Sequence, residues 1–261
     1  AVNRLELRLR QLKGREEKGL IGFMMACEPD FTTAVECAKA LEEAGCDILE
    51  IGVPYADPIA DGEVIERAHF RGVERGMNMT KALEFVRAVH DNCSLPLVMF
   101  SYFNPILRRG VEVFARELET AGASAVIIPD LPLEEREKYD QIDVDIIPML
   151  APTADEQRMA RADHYARSFI YCVSVAGVTG ERDRLPDLTD YLSRVRARTS
   201  HPLAVGFGIS SGAQVARIKD YADLVVVGSA LVRIIEENSD DKTRLLSELS
   251  ALARNLKQAL R

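Results

Sequence analysis

Short runs of Val, Ile, Leu, Phe and Met return along the chain at 20–26, 48–54, 97–102, 125–130, 145–150, 169–175, 203–209 and 224–230, and each predicts a strand. Between them lie segments with helical spacing. In TTAVECAKALEEAG, for example, Val35, Ala38 and Leu41 recur at steps of three before Gly45 offers a C-cap. Strands alternating with helices predict a parallel sheet, and eight such units fit a closed barrel better than an open doubly wound sheet. The expected fold is therefore α/β, a (β/α)₈ TIM barrel. Leu5, Leu9 and Leu12 repeat ahead of Gly14 and predict an extra N-terminal helix, suited to plugging one end of the barrel. The segment 241–259 supplies the closing helix. No composition shift or flexible linker marks a boundary, so residues 1–261 are read as a single domain.

Two connections stand out by length. After the second run the chain takes about 25 residues to reach the next obvious helix, at 80–89, which reads as an insertion. After the sixth run comes AGVTGERDRLPD, rich in charge and glycine. Both follow strands, so both lie on the barrel face that carries chemistry.

Glu50 interrupts the second run. Side chains alternate along a strand, so Glu50 shares a face with Ile48 and Gly52, whereas Leu49, Ile51 and Val53 share the other. The continuous apolar set suits the helix-facing side, which turns Glu50 into the barrel. No lysine or arginine falls within a predicted strand to pair with it. A carboxyl group in such a place is costly to ionise, and its pKa should rise towards the working pH, as proton transfer requires. Asp57 and Asp61 follow on a loop stiffened by Pro54 and Pro58.

The seventh run ends in Gly206-Phe207-Gly208-Ile209-Ser210 and leads into a helix capped by Ser210 or Ser211; the eighth ends in Gly228-Ser229 at another helix start. Adjacent glycine-rich turns at helix N-termini admit an anion, and a phosphorylated small molecule is the expected ligand. Gly177-Val178-Thr179-Gly180 could close over the same group. Gly208-Ile209-Ser210-Ser211-Gly212 also fits a nucleophile-elbow pattern, but His69, His90, His164 and His201 all lie outside the predicted strands. They offer no paired ligand spacing either, so no metal and no cofactor are expected.

Composition narrows the partners. With 33 basic and 41 acidic residues the net charge is −8, and the basic residues form no stripe, which argues against nucleic acid. No signal pattern and no apolar run near the ~20 residues of a membrane span occur, which predicts a soluble, cytoplasmic protein away from membranes. Five cysteines without a C-x-x-C pair read as small buried hydrophobes. A buried acid/base, a loop carboxylate and a phosphate cradle, with no strand lysine for an imine, leave proton-shuttling chemistry on a substrate that can hold its own charge.

LEEAGCDILEIGVPYADPIADG, YFNPI, IIPDLPLEE, VSVAGVTG, AVGFGIS and VVGSALV, in that order, resemble the motifs of the tryptophan synthase alpha subunit family over nearly the whole chain. The resemblance implies a carbon–carbon lyase of tryptophan biosynthesis, which cleaves indole-3-glycerol phosphate to indole and glyceraldehyde 3-phosphate by a retro-aldol step. It implies Glu50 as the proton-transferring group, Asp61 as acceptor for the indole N–H, and Tyr171 beside the substrate. It implies Thr179, Gly180, Phe207, Gly208, Gly228 and Ser229 at the phosphate. It also implies a pyridoxal-phosphate beta subunit as partner in an alpha2beta2 heterotetramer, docked on Pro54–Pro58 and Phe103–Ile106. Taken alone, FNPI reads as a turn. The chain departs from the family at Glu63, Val64 and Glu66, which bring two extra charges near Asp61 and bear on loop closure; at Cys27, where glycine is usual; and at Ala176, where Ser or Thr is frequent. The alternative reading is a regulatory subunit that binds a phosphate ligand and activates its partner with little chemistry of its own.

Overall fold

A computed structural model of the chain describes residues 3–174, 188–206 and 208–261. Its elements run α1 (Arg4–Gly14), β1 (Gly19–Met25), α2 (Phe31–Glu43), β2 (Ile48–Gly52), α3 (Glu63–Glu74), α4 (Met79–Asn92), β3 (Leu97–Phe100), α5 (Phe103–Arg109), α6 (Val111–Ala121), β4 (Ala123–Ile127), a 3₁₀ helix (Leu133–Tyr139), β5 (Met149–Leu150), α7 (Glu156–Tyr165), β6 (Ile170–Val173), α8 (Thr189–Arg196), β7 (Leu203–Gly206), α9 (Gly212–Ile218), β8 (Leu224–Val227), α10 (Ser229–Glu237) and α11 (Lys242–Ala259). All eight predicted strands form. They pair in parallel in the order β4-β3-β2-β1-β8-β7-β6-β5, and a single bridge between Val126 and Ile146 nearly closes the ring. The fold is a TIM barrel.

Period-two alternation divides the strand residues into two packing layers. Ile21, Phe23, Ile48, Val98, Phe100 and Val226 fill the barrel, whereas Leu20, Met24, Leu49, Ile51, Met99 and Val225 meet the helices. Leu5 and Leu12 of α1 join the inner layer, and Asn3 of the same segment donates to the Ser124 carbonyl at the foot of β4. The predicted plug helix is therefore in place. No helix among the described residues is long and apolar enough to cross a membrane. Each of the five cysteines is free, four of them buried, and burial pushes the Cys46 and Cys172 thiols up to about 12.

Three local readings change. The insertion after β2 is not irregular throughout: it contains α3, whose buried Val64, Ile65, Ala68, His69 and Gly72 make one helical face. FNPI opens helix α5 instead of forming a turn, because Pro105 occupies the first helical turn, where its missing N–H costs no bond. The run 145–150 yields only a two-residue strand, since Pro148 has no amide to donate; its carbonyl still accepts from the Tyr171 amide at 2.9 Å.

Beneath the barrel, Asp47 ties three elements together. Its carboxylate accepts from the Leu20 amide at 2.8 Å and from Lys257 Nζ of α11 at 2.6 Å, with Arg8 of α1 at 3.5 Å. Asp47 is buried, so replacing it with alanine strands a buried amide and leaves a mostly covered ammonium without its partner. Asp47→Ala should lower unfolding stability by about 3 kcal/mol, seen as a reduced urea midpoint with an unchanged slope.

Candidate active site

Glu50 occupies the centre of β2, where Phe23 of β1 and Val98 of β3 are its register partners. Its side chain is 1% exposed and faces the inner layer, as strand alternation required. Oε1 has no hydrogen-bond partner among the described residues. Burial alone raises its pKa from 4.5 to about 8, so the group holds a proton at neutral pH.

The same pocket is lined by Asp61, Tyr171, Gly208, Gly228 and Ser229, with Phe23, Ile65, Phe100 and Val226 as apolar walls. Six of the nine predicted site residues thus converge at the C-terminal end of the barrel. Thr179, Gly180 and Phe207, with Ala176 and the rest of 175–187, lie outside the described residues. Tyr171 is buried, and burial together with the charges of Glu50 and Asp61 lifts its phenol well above the usual range. It stays a neutral hydroxyl. Gly206 makes room for it, because a Cβ there would stand 2.1 Å from the Tyr171 hydroxyl.

Asp61 is buried at the end of the loop after β2, just ahead of Gly62, the N-cap of α3. Its Oδ2 accepts from the Tyr102 hydroxyl at 2.6 Å and lies 3.1 Å from His69 Nε2. Tyr102 in turn accepts from the Ala60 amide at 2.9 Å, and its ring stacks on Tyr55. Glu63 and Glu66, the two unexpected charges, stand in the first turn of α3, where acidic groups complement the helix dipole. Asp57 is exposed and its carbonyl accepts from the Ile59 amide, as in a turn.

The two predicted anion sites differ. At α9, Ser211 and Gln214 form a capping box, and Gln214 Oε1 takes the Ser210 and Ser211 amides at 2.7 and 3.1 Å. Those donors are already spent within the protein. At α10, the N-cap Gly228 has no side chain with which to cap the helix start, while Ser229 borders the pocket. Of the two helix starts, the one without such a box, beside the pocket that Glu50 lines, is that of α10. Gly208, at φ 76°, supplies the left-handed turn that brings the β7 loop to the same place.

Two residues of this constellation were not foreseen, His69 and Tyr102. His69 rides on α3, a helix hidden in the sequence by five charges among twelve residues. The spacing of Val64, Ile65, Ala68 and His69 was the available signal. Tyr102 stands within YFNPI, but nothing in that motif announces a bond to a residue 41 positions earlier.

Comparison with known proteins identifies the family. A family model described as tryptophan synthase alpha chain matches residues 9–261. The tryptophan synthase alpha chain of Syntrophomonas wolfei is 50% identical over 232 residues, covering 88% of this chain and 89% of that one. That of Carboxydothermus hydrogenoformans is 44% identical over 253 residues, covering 94% and 95%. Among solved structures, Mycobacterium tuberculosis tryptophan synthase superposes with a TM-score of 0.88 at 35% identity, covering 100% of this chain and 99% of that one. Tryptophan synthase subunit alpha from Legionella pneumophila superposes at 0.89 with 30% identity, covering 100% and 99%. With a barrel of this form, a site so composed and relatives matched over nearly their whole length, the chain belongs to the tryptophan synthase alpha chain family.

Proposed function

We propose that this chain cleaves indole-3-glycerol phosphate to indole and glyceraldehyde 3-phosphate, with Glu50 as the group that both gives and takes the proton. The observation that carries the reading is a carboxyl group buried against one wall of the pocket, unpaired with any cation among the described residues and protonated up to about pH 8. From that state Glu50 delivers its proton to C3 of the indole ring, which leaves a positively charged imine across C2 and N1. The resulting carboxylate then removes the proton from the adjacent side-chain hydroxyl. The C–C bond breaks, its electron pair re-forms the C2–C3 double bond, and the oxygen becomes the aldehyde carbonyl. One proton is given and one recovered, so the ring itself serves as electron sink.

Asp61 accepts the ring N–H and stabilises the positive charge while it exists. Tyr171, kept neutral, offers a hydroxyl to the reacting side chain. The phosphate is held at the start of α10 by Gly228 and Ser229, with Gly208 alongside and Thr179, Gly180 and Phe207 as the remaining contacts of the cradle.

The partner we assign is a tryptophan synthase beta subunit, in an alpha2beta2 assembly. The loop after β2 and the start of α5 present one continuous face: Asn104 Nδ2 donates to the Tyr55 hydroxyl at 3.3 Å, and Ile59 and Leu107 are 67% and 48% exposed. Exposed aliphatic groups on neighbouring loops suit a partner's apolar surface.

An indole-release assay tests the reading, run first on the purified chain and then with a beta subunit added. Indole should form in both arms, faster in the second. Silence in both arms would leave a ligand-binding subunit without lyase chemistry.

A further inference from the structure

The hydrogen-bond pattern around His69 selects one tautomer of its ring. The Tyr55 amide lies 3.0 Å from Nδ1, and a backbone N–H can only donate, so Nδ1 carries a lone pair. The proton of the neutral ring is then on Nε2, which points at Asp61 Oδ2 from 3.1 Å. Tyr102 shows the same logic: its oxygen accepts from the Ala60 amide and its hydroxyl donates to the same Oδ2. Two neutral donors, each oriented by a backbone amide of the loop after β2, therefore converge on one oxygen of Asp61. The His69 ring is 1% exposed and packs edge-on against Tyr102, so neither donor swings away at little cost.

We propose that His69 is a positioning residue for Asp61: its Nε2–H holds the carboxylate plane so that the second oxygen is turned to the pocket to receive the substrate's ring N–H. The proposal rests on the lyase reading above. A carboxylate held by Tyr102 alone could rotate about that single bond. With two donors on Oδ2 the plane is set before the substrate arrives, which is where preorganised acceptors gain their effect. The helix that carries His69 is itself braced. Arg67 and Arg71 of α3 both bond Glu236 of α10, at 2.8 and 2.7 Å, so the support of Asp61 and the open helix end beside Ser229 are fixed relative to one another.

Two half-replacements separate this role from that of a simple loop latch. In His69→Gln the side-chain amide N–H reaches the place of Nε2 and still donates to Asp61, but no acceptor remains for the Tyr55 amide. In His69→Asn the carbonyl takes the place of Nδ1 and still accepts from Tyr55, but nothing reaches Asp61. With indole-3-glycerol phosphate as substrate, we expect His69→Asn to lower kcat about 10- to 100-fold, the scale of one hydrogen bond to a charged group, and His69→Gln to stay within about threefold of wild type. The preference for this substrate over its N1-methyl analogue should shrink in His69→Asn by a similar factor, which a loss of loop stability would not produce. The opposite order, with Asn active and Gln impaired, would make His69 a latch and overturn the proposal, as would both variants matching wild type. A melting curve on each variant shows that the chain is folded, and if Asn does not fold, an impaired kcat in folded His69→Gln alone overturns the proposal and an intact one sustains it. Wild type releasing no indole sinks the lyase reading itself, and the role of His69 with it.

Discussion

Replacing Glu50 with glutamine should lower indole release by about three orders of magnitude or more while making the protein more stable at alkaline pH. The two effects have one cause. Glutamine keeps the shape of the protonated acid and loses only the exchangeable proton, so both of the transfers proposed for Glu50 should disappear. Stability moves the other way because the folded protein holds Glu50 neutral up to about pH 8, whereas an unfolded chain ionises the same group near 4.5. Between those values the native state binds the extra proton, so unfolding stability declines as pH rises and the decline is complete above about pH 8. Glutamine suffers no such loss. The variant should match wild type near pH 4 and exceed it at pH 9 by on the order of 3–5 kcal/mol, read from urea midpoints at the two pH values. The wild-type rate should also fall as pH rises through about 8, where the free enzyme gives up the proton that C3 needs. A flat alkaline limb, or a glutamine variant that still releases indole at a tenth of the wild-type rate, would remove Glu50 from the centre of the mechanism.

Asp61→Asn should be nearly as damaging, and more so than the loss of a charge would suggest. Tyr102 and His69 both present donors to Oδ2, so the asparagine carbonyl must take that place. Its NH₂ group then replaces the oxygen turned to the pocket. A donor would confront the ring N–H of the substrate, and the charge that balances the protonated ring would be gone. We expect kcat/KM to fall about 1,000-fold, with Asp61→Ala less impaired in substrate binding than Asp61→Asn because it removes the attraction without adding a clash of donors. An asparagine variant within tenfold of wild type would show that the ring nitrogen is held elsewhere.

The ease with which the barrel is read from the residues, and the difficulty of reading parts of its site, have physical grounds. Glu50 was legible because strand alternation has period two, so one polar residue amid Ile48, Leu49 and Ile51 leaves only one direction for it to face. The eight strands were legible because each is buried on both sides, which makes it a continuous apolar run. Helix α3 was hidden by Glu63, Glu66, Arg67, Arg71 and Glu74, which dilute its apolar face although the spacing of that face is regular. At α9, the Ser211-x-x-Gln214 box was written in the sequence and tells against an anion there, whereas α10 lacks any such residue at Gly228. His69 and Tyr102 belong to a different class. Their contacts with Asp61 depend on a meeting of α3, the loop after β2 and the end of β3, and no local pattern encodes such a meeting.

The barrel's seam has a consequence for how the molecule breathes. Between β4 and β5 the ring is held by the amide of Val126 on the Asp145 carbonyl and the amide of Ile147 on the Val126 carbonyl, whereas β1 and β2 are matched across five residues. Any transient parting of the staves should begin at that weakest join. It lies across the ring from β8 and α10, where the phosphate would sit, so a substrate can be gripped on one side of the wall while the far side loosens and reseals.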